Sequence, residues 1–118
     1  MPEWAQQERE ADLSWIAENL HIFSQVAKEQ FAAEGPGVIV VDTTVQPDPN
    51  TGHPMYYMPK AMVEQVGDED AKRMVGAYDP QQEFVVVLLK GERVSTYQLQ
   101  VLPPGEQPSE PPPGPQAR

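Results

Sequence analysis

The side chains able to do chemistry are few. The chain has two histidines, His21 and His53, eighteen acids and no cysteine. Without cysteine there is no disulfide framework, no thiolate zinc site and no cysteine nucleophile. Asp42 ends an apolar run and His53 lies in the turn at 50–54, so both flank one connection. A carboxylate beside an imidazole is the smallest set from which a metal site or a general base is built. No HxxxH, HExxH or DxD spacing accompanies the pair. Ser24, Ser95 and Ser109 have no GxSxG setting, which leaves a serine nucleophile without its local geometry. The densest acidic run, Asp68-Glu69-Asp70, lacks the spaced ligands and distant glutamate of a calcium loop, and is read instead as a capped helix start. Gly35-Pro36-Gly37 precedes a strand pattern rather than opening a helix, so it does not form a phosphate cradle. His21 falls mid-helix at the border of an apolar stripe and is read as a boundary residue. The pattern predicts no catalytic set, no metal and no cofactor.

Met55-Tyr56-Tyr57-Met58 differs in kind. Two aromatics and two methionines stand between prolines, beside a loop rich in turn formers. Tyr and Met are enriched in binding patches, and an edge strand offers an open backbone to another chain. Alternate residues of such a strand also complete a core. Met55, Tyr56, Tyr57 and Met58, with Asp42 and His53 next to them, are the candidate binding residues.

The elements that must position these residues follow from periodicity. Leu13, Ile16, Leu20, Phe23, Ala27 and Phe31 recur at spacings of three and four and predict one long helix over 8–34, with a break near Ser14 as the alternative. Gly35-Pro36-Gly37 stops it. Val38–Val41 is a short β-branched run, read as a strand buried on both faces. The segment 55–58 returns as an edge strand ended by Pro59. A second helix covers 60–78, with Met62, Val66, Met74 and Tyr78 as its apolar positions and Val63 and Val75 beside them; Gly67-Asp68-Glu69-Asp70 interrupts it, so two short helices stand as an equal reading beside one. The segment 84–89 is apolar on both faces and predicts a central strand. A tight turn at 90–93 leads to an alternating strand over 94–101 with one solvated face. The expected fold class is α+β: two helices on a three- to four-stranded, mostly antiparallel sheet, in the order α-β-β-α-β-β. The second face of the central strand must then be covered by the first helix or by another subunit.

Composition narrows the function. The 118 residues carry a formal charge of −10, which disfavours a phosphate backbone as partner. Residues 103–118 hold seven of the fourteen prolines and no large apolar side chain, and are read as a disordered Pro-rich tail on a single domain over 1–102. That tail carries −1 (Glu106, Glu110, Arg118), so −9 belongs to the domain, with −5 on 1–34 (seven acids, two bases). No segment is long and apolar enough to span a bilayer, and the polar start lacks a signal-peptide pattern, so the expected location is cytoplasmic. The expected function is a small acidic, non-catalytic interaction or accessory protein that self-associates or binds a protein partner. Two alternatives stand beside it: a small-molecule-binding or enzymatic domain using Asp42, His53 and Tyr56, and an acidic inhibitor such as an immunity protein, antitoxin or nucleic-acid mimic.

Overall fold

The computed structural model describes residues 3–49 and 52–103. From residue 104 onward the Pro-rich tail lies outside the described residues, as do Asn50 and Thr51 of the loop before His53. The elements are α1 (Glu3–Glu18), α2 (Leu20–Glu34), β1 (Gly37–Asp42), β2 (Met55–Pro59), α3 (Lys60–Val66), α4 (Glu69–Val75), β3 (Glu83–Lys90) and β4 (Arg93–Gln100). The fold class is the α+β arrangement read from the sequence. Among the described residues, one four-stranded sheet runs β2-β1-β3-β4, antiparallel at both flanks and parallel between β1 and β3. The chain divides into two units: Val26–Val101, and a smaller one whose described residues are 3–25 and 102–103.

In the smaller unit the long helix starts earlier than the periodicity suggests and is divided at Asn19, not near Ser14. The cause is local. The Asn19 side-chain amide donates to the Trp15 carbonyl at 2.9 Å, taking the place of a backbone donor. The Asn19 backbone N–H donates instead to Ile16, at 3.0 Å, which tightens the turn. A side chain competing with the helical ladder in this way is a recognised cause of a bend. Ile16 and Phe23 are buried, and the Phe23 ring meets Trp15 edge-on at 5.6 Å. Ser24 is the one polar residue buried among the described residues, and its hydroxyl accepts from the Leu102 N–H at 2.8 Å.

In the larger unit, β1 and β3 run side by side with Ile39 opposite Val86 and Val41 opposite Leu88. Parallel strands need a crossover connection, and β2, α3 and α4 supply it. One sheet face, with Val38, Val40, Val85 and Val87, packs with Val63, Ala71 and Val75 from α3 and α4. The other face carries Ile39, Val41, Phe84, Val86 and Leu88, all buried within the single chain. The second face of the central strand therefore does not by itself call for another subunit.

The second helix is two pieces. Asp68 caps α4, its carboxylate accepting from the Ala71 N–H at 3.2 Å. Of the expected apolar positions, Met74 and Tyr78 pack against the core and Val63 and Val75 are buried with Ala71, while Met62 and Val66 are exposed. Glu69 and Asp70 pair with Lys72 and Arg73 one turn on, at 3.5 and 2.9 Å.

Gly35, at φ +83°, ends α2 and donates to Phe31 at 2.8 Å. Gly37 is glycine for a different reason. A Cβ there would strike the Met58 carbonyl and come within 2.7 Å of the Tyr57 ring. Gly37→Ala is expected to destabilise the fold by about 2–3 kcal/mol, because neither backbone nor ring can yield cheaply. The urea midpoint checks this; a midpoint equal to that of the unsubstituted chain would contradict the close approach.

Candidate functional site

The side chains of β2 alternate across the sheet, which splits the Met-Tyr-Tyr-Met patch in two. Tyr56 and Met58 lie on the α3–α4 side. With Val38 and Val40 of β1, Val87 and Leu89 of β3, and Val94 of β4, they line a hollow of about 340 Å³. Val66, Gly67, Asp68 and Ala71, at and after the α3–α4 break, close its other side. Three side chains here are exposed: Tyr56 at 50%, Val66 at 66% and Val94 at 42%. The lining is mostly apolar. Its one charged group, the Asp68 carboxylate, is engaged by the Ala71 N–H and by the Thr96 hydroxyl at 3.4 Å.

Met55 and Tyr57 lie on the opposite side of β2. With Val26, Gln30, Glu34, Tyr56 and Pro59 they line a second, more polar depression of about 430 Å³. Tyr57 is tied into the backbone: its hydroxyl donates to the Gly35 carbonyl at 2.6 Å. Burial pushes the Tyr57 phenol up to about 12, and nearby Tyr78 and Glu34 push the same way. The Tyr78 hydroxyl donates to the Gly37 carbonyl, and burial raises that phenol too. Two phenols thus hold the two carbonyls that bracket Pro36, at the entry to β1.

Asp42 and His53 do share one connection, as their positions imply, but both are engaged in shaping it. The Thr44 amide donates to Asp42 Oδ1 at 3.0 Å, and the Thr44 hydroxyl donates to the same oxygen. These bonds hold the Asp42 carboxyl below the usual carboxylate range, with a smaller pull from the His53 ring. A carboxylate held in its ionised form is a weak proton acceptor. His53 Nδ1 lies 2.9 Å from the Val45 carbonyl, a contact in which the ring N–H donates. The Asp42 N–H donates to the Pro54 carbonyl, and Asp48 and Gly52 exchange backbone bonds at 3.0 and 2.8 Å. Neither Asp42 nor His53 lines either hollow. Among the described residues no group of three His, Asp or Glu side chains could hold a metal ion, and no helix is long and apolar enough to cross a membrane.

Of the six candidate residues the structure therefore brings Tyr56 and Met58 to one hollow, Met55, Tyr56 and Tyr57 to another, and Asp42 and His53 to a loop. Sequence reasoning missed Val66 and Val94. The available signal was an apolar residue directly before the Gly67-Asp68 break, and another directly after a charged hairpin turn. No family model matches this chain, and a search of curated proteins finds no match.

The Tyr57 bond carries a pH signature. Its phenol must be neutral to donate, and its value in the fold, about 12, exceeds the ordinary 10.0. The stability it confers is complete below pH 10 and is lost as pH rises towards 12. Tyr57→Phe is expected to lower stability by about 1 kcal/mol at neutral pH. The gap between the two proteins should then close through the alkaline window, as read from urea midpoints at stepped pH. A gap that stays constant would assign the alkaline loss to another group.

Proposed function

We propose that this chain is a small acidic, non-catalytic interaction protein that receives an apolar side chain of a protein partner in the hollow beside Tyr56, Met58, Val66 and Val94. One observation carries the reading. Of the seven large apolar residues exposed among the described residues, three (Tyr56, Val66 and Val94) stand around this single hollow. Exposed apolar side chains scattered singly need no explanation, whereas a cluster rimming a concave apolar surface is what an anchor residue of a partner fills. The volume is enough for one large side chain and its neighbours. The only ionised group at the hollow caps α4, which supports recognition rather than catalysis. A small-molecule or enzymatic site built on Asp42, His53 and Tyr56 draws no support from this geometry, because the first two stand apart from the hollow.

The test uses side-chain mimics. N-acetyl-leucinamide and N-acetyl-phenylalaninamide are titrated into the protein while methyl resonances are followed. Saturable shifts are expected at Val40, Met58, Val66 and Val94, and not at Val45, an exposed apolar residue outside the hollow. Paired Val66→Glu and Val94→Glu substitutions, both at exposed positions, should abolish the shifts while leaving the fold intact. Absent shifts, or shifts unchanged in the paired variant, would defeat the reading.

A further inference from the structure

The depression on the α2 side of β2 has two walls of different kinds. One is helical: Val26, Gln30 and Glu34 recur every fourth residue and form a single stripe along α2. The other is β2 itself, from Met55 to Pro59. The Tyr57 hydroxyl is bonded to Gly35, and the Glu34 charge bears on the same phenol, so the acidic end of the stripe lies at the Tyr57 end of the strand. The walls match in length: the stripe from Val26 to Glu34 rises about 12 Å, and the strand from Met55 to Pro59 about 13 Å.

Among the described residues β2 is the last strand of the sheet on this side. Its ladder to β1 shows which backbone groups it leaves open. The Asp42 N–H donates to the Pro54 carbonyl at 3.0 Å, and the Lys60 N–H donates to the Pro36 carbonyl at 2.8 Å. Bonded pairs alternate with unbonded ones in an antiparallel ladder. Counting inward from either end makes 40/56 and 38/58 the bonded pairs. Met55 and Tyr57 therefore direct their N–H and C=O groups away from β1. Tyr56 also lines the depression although its side chain lies on the opposite face, so the depression reaches this outer edge. Pro54 and Pro59 bound the edge, which leaves room for a short extended segment and not for a long strand.

We propose that this depression takes an extended segment of a protein partner, added antiparallel to the edge of β2, with a Lys or Arg side chain directed at Glu34. Three observations select that occupant. Two N–H and two C=O groups in one row, facing a helix, match a peptide backbone. Glu34 is the one charged residue in the lining, is exposed, and its carboxylate makes no hydrogen bond or ion pair among the described residues. The net charge of −10 favours a cationic partner and repels a second copy. The register then orders the side chains. In an added antiparallel strand the residue opposite Tyr57 precedes the residue opposite Met55 by two places. Both point to the α2 side, the first towards Glu34 and the second towards Val26 and Met55. The segment therefore reads basic, any residue, aliphatic. This inference goes beyond the hollow's role and concerns the other side of β2, so either can fail alone.

The test titrates the peptide Ac-Thr-Arg-Thr-Val-Thr-NH2, to millimolar concentration, into the full chain while backbone amides are followed by NMR and hydrogen exchange. Saturable shifts and at least roughly tenfold slower exchange are expected at Met55 and Tyr57, with little change in exchange at Tyr56 and Met58, already bonded to β1. Peptides with Glu in place of Arg, or with Arg and Val exchanged, should bind at least about tenfold more weakly. Methylating the Arg backbone nitrogen should weaken binding as much, because that N–H bonds to Tyr57; methylating the central Thr nitrogen, which points away, should not. Glu34→Gln, at an exposed position, should abolish the preference for Arg over Glu. Absent shifts overturn the proposal, as does equal binding of the Arg and Glu peptides. So does tolerance of the methylated Arg nitrogen, which would mean a cation site without strand pairing. Met55 and Tyr57 amides already protected without peptide would overturn it too, since another segment of the chain, or a second copy, would then hold the edge.

Discussion

The parallel pairing of β1 with β3 is the constraint on which the larger unit depends. Both strands are apolar on both faces, so both must sit in the middle of the sheet. Two consequences follow. Water is excluded from either side of a ladder in which Ile39, Val40 and Val41 stand opposite Val86, Val87 and Leu88. And because parallel neighbours cannot be joined by a hairpin, the chain between them must cross over the sheet. That crossover is β2, α3 and α4, and its path decides which parts of the α3–α4 face are covered.

The cover is incomplete for a physical reason. Gly67 and Asp68 break the crossover into two helices of seven residues each. Each piece inserts its own buried residues, Val63 from one and Ala71 and Val75 from the other, and the sheet towards Tyr56 and Val94 is left as a hollow. Polar groups nearby are satisfied locally. Asp68 caps α4, Thr43 donates to the Leu89 carbonyl at 2.7 Å, and Tyr57 and Tyr78 hold the carbonyls of Gly35 and Gly37. Among the described residues no buried side-chain nitrogen or oxygen lacks a partner. The region most available for recognition is therefore apolar, with its polar chemistry already engaged.

Much of the fold was legible because it rests on local rules. A β-branched run after glycine reads as a buried strand, a doubly apolar run as a central one, and Gly-Pro-Gly as a stop. The Asp68 cap was legible because capping chemistry involves residues only a few positions apart. What was illegible depended on phase or on distant partners. On α3 the sequence did not separate Val63, which is buried, from Met62 and Val66, which are exposed, because a seven-residue helix holds too few apolar positions to fix its inward face. The bend at Asn19 depends on one side chain winning a contest for the Trp15 carbonyl, which composition does not reveal. The alternation of the Met-Tyr-Tyr-Met strand was legible, but which of its two sides faces the hollow was not. Asp42 and His53 came to the same connection as expected, but whether their polar atoms faced a substrate or their own backbone was a matter of three-dimensional closure.

By itself the sequence determined the strands, the helical regions, their order, the α+β class, the acidity and the absence of any cysteine chemistry. These depend on residue type and on spacings within a single turn or strand. Only the tertiary structure decided the parallel pairing of β1 with β3, and the convergence of Tyr56, Val66 and Val94 on one hollow. It alone assigned the Tyr57 and Tyr78 phenols to glycine carbonyls 22 and 41 positions away in the chain. Those outcomes arise from contacts between segments far apart in the chain, which are set by how the sheet buries both faces of its central strands and not by any local signal.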